Sequence, residues 1–225
     1  MAWTDNAWDL FEREVFDETG TPNRLVNPYA TDTEHDAPGA SQIRRSNLRA
    51  ALKAVASSAP GGRPDVLVVA EAPGPWGCRF SGIPFTNERQ LVDPEFPVDG
   101  TPSSRQFAET GEPIKEYSGT IYWNAMLPYW GRFWTWNAVP FHPHKEGEPL
   151  TIRTPTVREI RRWHGVLGEL VRILEPAAVV AVGRKAEGAL DAIHADPVYV
   201  RHPSQGGATL FRAGMAALWD RLGAP

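Results

Sequence analysis

Three side chains suited to chemistry stand where strands are expected to end: a carboxylate at Glu71, a carboxamide at Asn137 and an imidazole at His202. The acid can stabilise positive charge or position water, and the imidazole can donate to a developing oxyanion. The amide offers a donor and an acceptor side by side. An acid, an amide and an imidazole at successive strand ends describe a pocket.

The elements that must position these groups are legible in the apolar pattern. Asp65 to Ala70 is a short, continuously apolar, β-branched run, as expected of a parallel strand covered by helices on both faces. Trp134 to Pro140, aromatic and alternating, predicts a second strand, Ala177 to Val182 a third and Val198 to Val200 a fourth. Helical spacing places Ile43, Leu48, Leu52 and Val55 on one face of a helix from Ser41 to Ser58, stopped by Pro60, Gly61 and Gly62. Further helices are expected from Ser118 to about Trp130, from Thr156 to Leu174 before Pro176, from Gly183 to Ile193 and from Gly207 to Leu222.

Strands alternating with helices of this length predict an α/β fold, a three-layer α/β/α arrangement around a central four-stranded parallel sheet. Open parallel sheets bind ligands outside the carboxyl ends of their strands. The turn-rich run Glu71 to Gly77 crosses that edge, and Leu91 to Glu116 is expected to be mostly irregular, with one helical turn around Arg105. We expect one domain over residues 1–225, with residues 1–40 forming a short helix and a segment that wraps it.

Composition narrows the function classes. With 225 residues and 42% hydrophobic side chains the chain can bury a sizeable core. The net charge of −4 excludes a globally basic nucleic-acid binder, yet the 23 basic residues are mostly arginines and the acids cluster from Asp5 to Asp36, so later segments can form a local positive face. No apolar run approaches the roughly 20 residues of a membrane span. Met1 to Glu12 lacks a basic start followed by an apolar stretch, so a cytoplasmic, nucleoid-associated protein is expected. The single Cys78 excludes an internal disulfide and a four-cysteine iron–sulfur cluster. His142 and His144 lack metal-ligand spacing with it, so no metal is expected; they read as phosphate contacts or as solvating a loop. Trp76, Trp123, Trp130, Trp134 and Trp136 read mostly as core.

Glu71-Ala72-Pro73-Gly74, with Gly82-Ile83-Pro84-Phe85 downstream, resembles the first motif of the uracil-DNA glycosylase superfamily, especially its families 4 and 5. Trp136-Asn137-Ala138-Val139-Pro140 resembles that superfamily's strand-end asparagine, and His202-Pro203-Ser204 its last motif. Gly183-Arg184-Lys185-Ala186 looks like its loop after the third strand, which supports topology more than chemistry. The resemblance implies a monomeric, cofactor-free DNA glycosylase that flips uracil out of single- or double-stranded DNA, releases free uracil and initiates base excision repair.

By the same resemblance, Glu71 and His202 are catalytic, Ala72, Gly74, Phe85 and Asn137 bind the base, and Arg201, Ser204 and Gln205 meet DNA. The departures are the missing cluster cysteines, Ala72 where family 1 has aspartate, and Gln205-Gly206-Gly207 where family 1 carries a bulky wedge. The alternatives are a non-catalytic uracil or abasic-site binder, a glycosylase preferring hypoxanthine or xanthine, and a hydrolase of the free nucleotide.

Overall fold

The computed structural model describes residues 2–20 and 23–223; Met1, Thr21, Pro22, Ala224 and Pro225 lie outside it. The chain opens with α1 (Trp3–Phe11), a π-turn over Glu12–Phe16, the two-residue β1 (Leu25–Val26) and α2 (Ala40–Ser58). β2 (Val66–Ala70) precedes three short helices, α3 (Cys78–Ser81), α4 (Glu88–Leu91) and α5 (Arg105–Thr110), and the longer α6 (Tyr117–Met126). Then come β3 (Phe133–Asn137), β4 (His142–Pro143), α7 (Val157–Arg162) and α8 (His164–Leu174). β5 (Ala178–Val182), α9 (Arg184–Asp191), β6 (Val198–Val200) and α10 (Ala208–Arg221) complete the described chain.

β3, β2, β5 and β6 lie in that order in one all-parallel sheet. Alternate residues of each strand point to opposite faces, so each face acquires its own core. Leu67, Val69, Trp134, Trp136 and Ala181 pack with Leu48, Leu52, Leu167, Leu170 and Leu190, from α2, α8 and α9. Val66, Val68, Phe133, Val180 and Val200 pack with residues of α6 and α10, including Tyr122, Met126, Phe211 and Trp219. The expected three layers and central sheet are therefore present.

The differences have local causes. β3 ends at Asn137: Ala138 and Val139 still donate to the Ala70 and Glu71 carbonyls, but Pro140 has no N–H to extend the ladder. α6 ends at Met126 in a 3₁₀ turn containing Pro128, whose ring cannot continue an α-helix. The helix expected from Thr156 breaks at Trp163, which leaves helical backbone (φ −100°) and buries its indole against Phe141. β1 and β4 pair antiparallel in a separate two-stranded sheet, too short to carry a period in sequence.

The irregular stretch between α4 and α6 is pinned rather than loose. The buried Glu88 carboxylate accepts from the backbone of Ser103, Ser104 and Ile114 and from Ser104 Oγ, at 2.7–3.0 Å. These bonds replace the water that a buried carboxylate loses.

Candidate active site

The four sheet strands deliver their carboxyl ends to one cavity of about 800 Å³. β2 ends immediately before Glu71, β3 ends at Asn137, β5 leads to Gly183, and β6 leads through Arg201 to His202. Ala70 is paired with Asn137, so the acid and the amide stand one residue apart in height on neighbouring strands. All nine residues singled out in the sequence as site residues line this one cavity: Glu71, Ala72, Gly74, Phe85, Asn137, Arg201, His202, Ser204 and Gln205.

Each polar group has an environment that sets its chemistry. Burial pushes the Glu71 carboxyl above the ordinary carboxylate range, and the Lys185 ammonium partly opposes this. Asn137 is only 3% exposed and directs Nδ2 to Cys78 Sγ at 3.6 Å. Burial raises the Cys78 thiol to about 12, so the sulfur facing the amide is a neutral thiol. One amide hydrogen is thereby engaged, leaving the second hydrogen and Oδ1 for a ligand.

His202 Nδ1 lies 3.2 Å from the Ser204 backbone nitrogen and 2.8 Å from Ser204 Oγ. A backbone N–H only donates, so Nδ1 is its acceptor and a neutral ring carries its proton on Nε2. Burial, with Arg201 beside it, lowers His202 to about 4. At neutral pH the ring is therefore uncharged and offers one N–H donor.

Phe85 occupies left-handed backbone, with φ +57°, a region that a bulky residue adopts only when its surroundings hold it there. The hold is visible. Its ring stacks on Tyr122 at 4.3 Å and 6°, and a Cβ at Gly119 would come within 2.5 Å of the Phe85 carbonyl oxygen, so α6 approaches closely only because residue 119 is glycine. Tyr122 is fixed in turn by a 2.5 Å hydrogen bond to Thr135 Oγ1 on β3. The Phe85 and His202 rings are 5.5 Å apart, centroid to centroid.

The loop after β2 is held from behind by charge buried in the protein. Arg44 and Arg79, both fully buried, share Asp36: Nη2 of Arg44 lies 3.3 Å and Nη1 of Arg79 3.2 Å from its Oδ1. Arg44 also donates to the Arg79 carbonyl, Arg79 to Thr33 Oγ1, and Tyr29 Oη to the Gly82 carbonyl. The N-terminal segment thus supports the cavity wall.

The rim is basic. Arg184 stacks over Tyr199 at 3.9 Å and pairs with Glu187, while Arg153 pairs with Glu159. Lys185 and Arg201 also line the cavity. Contributors to the wall that sequence reasoning missed include Cys78, Glu116, Ser118, Tyr199 and the segment Ile152 to Thr154. Glu116 caps α6 by accepting from Gly119 N at 3.1 Å and also takes the Ser118 hydroxyl. A capping acid is visible in sequence; that it faces the cavity is a tertiary fact.

The expectation for two histidines needs correcting. His142 and His144 neither meet solvent nor offer themselves to phosphate: both are buried, His142 between the Pro73 and Pro149 carbonyls and His144 against that of Lys145. His142 ties β4 to the Glu71 loop through the Pro73 carbonyl, whereas His144 meets only the neighbouring Lys145 carbonyl and its Nε2 is buried without a hydrogen-bond partner. Of the tryptophans, Trp123, Trp134 and Trp136 are core, whereas Trp76 is 41% exposed. Among the described residues, no three His, Cys, Asp or Glu side chains gather as a metal site, and no helix is long and apolar enough to cross a membrane.

A family model described as the uracil DNA glycosylase superfamily matches residues 58–221. A comparison with curated protein sequences yields no match. Among solved structures, the chain is similar to wild-type SMUG2 of Pedobacter heparinus, with a TM-score of 0.66 at 15% identity, covering 99% of each chain. At that identity the likeness concerns the fold.

Proposed function

Since this chain belongs to the uracil-DNA glycosylase superfamily, we propose that it excises uracil from single- and double-stranded DNA as a monomer, producing free uracil and an abasic site and opening base excision repair. The observation that carries the reading is the convergence of Glu71, Asn137 and His202 on one cavity with Phe85 on its wall.

A base within a duplex is unreachable, so the nucleotide is flipped at a cost of a few kcal/mol. Phe85, backed by Tyr122, stacks on the flipped ring. Asn137 donates through Nδ2 to uracil O4 and accepts N3–H at Oδ1, a pattern that cytosine presents reversed. The Cys78 contact favours this amide orientation.

The C1′–N1 bond breaks with its electron pair passing to the base, where charge gathers on O2. The His202 Nε2–H donates to that oxygen, and a neutral donor does so without protonating the leaving group outright. The sugar becomes cationic, and the Glu71 carboxylate stabilises it and orients the attacking water. Water adds to C1′ and loses a proton, which Glu71, its basicity raised by burial, accepts, and the released uracil anion takes up a proton from solvent. Arg201, Ser204 and Gln205 meet the DNA backbone from the loop that carries His202.

The test is incubation of the protein with a labelled oligonucleotide bearing one uracil, single- and double-stranded, followed by alkaline cleavage. Parallel arms carry hypoxanthine or xanthine, or use deoxyuridine monophosphate as the substrate. Cleavage at uracil that falls sharply in Glu71→Ala and His202→Ala supports the reading. Retained gel shift without base release refutes it in favour of a non-catalytic binder, and release from the free nucleotide alone refutes DNA as the substrate.

A further inference from the structure

Flipping a base leaves a gap in the stack, and an enzyme that acts on duplex DNA must keep that gap from closing. Ser204, Gln205, Gly206 and Gly207 in the loop carrying His202 offer no large apolar plug. A Cβ at Gly207 would come within 2.0 Å of the His202 carbonyl oxygen, and Gly206 has φ +74°. The tight turn that orients His202 therefore keeps positions 206 and 207 small.

Six large apolar side chains are exposed among the described residues: Trp76, Tyr117, Leu127, Ile152, Val157 and Leu210. Only Ile152 also lines the cavity. Its segment follows β3, at one edge of the sheet, whereas the His202 loop follows β6 at the other. The two therefore approach the cavity from opposite sheet edges.

An isolated exposed isoleucine needs no explanation by itself, but this one stands on a rigid pedestal. On one side, Thr151 Oγ1 accepts from Lys145 N and donates to the Glu148 carbonyl. On the other, Arg153 N donates to the Pro143 carbonyl, and its guanidinium donates to the His144 and Arg24 carbonyls and, bidentately, to Glu159 at 2.6 and 2.8 Å. Fixing both neighbours removes the ordering cost that a mobile loop tip meets on binding. Ile152 itself remains 53% exposed, beside a rim that carries Arg184, Lys185 and Arg201 for phosphates.

We propose that Ile152 is the wedge that enters the DNA stack beside the flipped nucleotide, held ready by the Arg153 clamp. The inference rests on the glycosylase reading for its substrate. A wedge matters where a partner strand drives re-stacking, so Ile152→Ser is expected to lower single-turnover excision from duplex at least tenfold while changing the single-stranded rate less than twofold. Ile152→Leu restores the duplex rate, and Leu210→Ser, an equally exposed change away from the cavity, leaves both rates unchanged. An equal fall on both strand forms, or no fall, overturns the proposal.

A binding arm separates this proposal from the chemistry. A duplex with an abasic analogue opposite 2-aminopurine brightens when a side chain enters the stack. The wild type and Ile152→Leu are expected to brighten it and Ile152→Ser, at saturating protein, to leave it dim. The same brightening in Ile152→Ser, or none with wild type bound or unable to bind, overturns the wedge whether or not uracil is released.

Discussion

The neutrality of His202 yields the sharpest prediction. The Ser204 backbone N–H faces Nδ1, so the ring's one N–H donor is Nε2, the atom that meets the leaving-group oxygen in the proposed reaction, and the imidazole resists protonation down to about pH 4. Relative to an ordinary histidine near 6.5, that resistance corresponds to about 3 kcal/mol. Burial is its larger cause and Arg201 the smaller. Removing one preorganised donor to a developing oxyanion costs about 10²–10³ in rate, or about 2.7–4 kcal/mol. His202→Ala should therefore lose that factor in single-turnover excision at pH 7.5 while still binding uracil-containing duplex. Between pH 5.5 and 8 no inflection of the wild-type rate should belong to the histidine, because it does not change charge there; the acid limb belongs to Glu71 and lies above the ordinary carboxylate range. Selective ¹⁵N labelling of histidine should show Nδ1 unprotonated and Nε2 protonated throughout that window. A loss below tenfold in His202→Ala, or a wild-type inflection near 6.5 that disappears in the variant, would refute the reasoning.

Other consequences follow from the same contacts. Phe85→Gly should lose roughly 5- to 150-fold in kcat/KM, matching base stacking of about 1–3 kcal/mol. In thermal melts it should nevertheless unfold later than Phe85→Ala, because glycine relaxes at φ +57° and alanine does not. Asp36→Ala strips Arg44 and Arg79 of their shared carboxylate; breaking a buried pair costs about 3–5 kcal/mol, so Tm should fall by roughly 10 °C or more, and an unchanged Tm would contradict the cluster's role. Stability should decline in acid in two stages. His202 and His142, both lowered to about 4 by burial, bind protons in the unfolded chain first, so their stabilisation is complete above about pH 6.5 and is lost as pH falls toward 4. Glu159, held down to about 2 chiefly by Arg153, then loses its contribution as pH drops from about 4.5 toward 2. Urea denaturation between pH 3 and 8 checks the sign, and stability that rises on acidification would refute it.

The amino-acid sequence by itself determined a great deal here. Continuous apolar, valine-rich runs such as Val66 to Val69 dictate covered parallel strands, and the apolar stripe of Leu167, Leu170 and Leu174 dictates a helix face. With strands and helices alternating, the carboxyl edge had to gather whatever stood after each strand, which is why Glu71, Asn137 and His202 were legible as a set. These are local and periodic signals, and they survive without knowledge of neighbours.

What only the tertiary structure decided are contacts between segments far apart in the chain. That His142 lies between the Pro73 and Pro149 carbonyls, with His144 buried beside it, is decided by packing, and no spacing rule distinguishes a buried ring from one in solvent. Cys78 beside Asn137, Glu116 on the cavity wall and Ile152 at its mouth depend on where loops return after crossing the sheet edge. The left-handed backbone of Phe85 is another such decision: its sequence neighbours allow ordinary conformations, and it is Gly119 and Tyr122, more than thirty residues onward, that hold the ring in place. Periodicity specifies which face of an element is buried, but the position of a polar side chain within a site is set by packing between elements, which no single segment encodes.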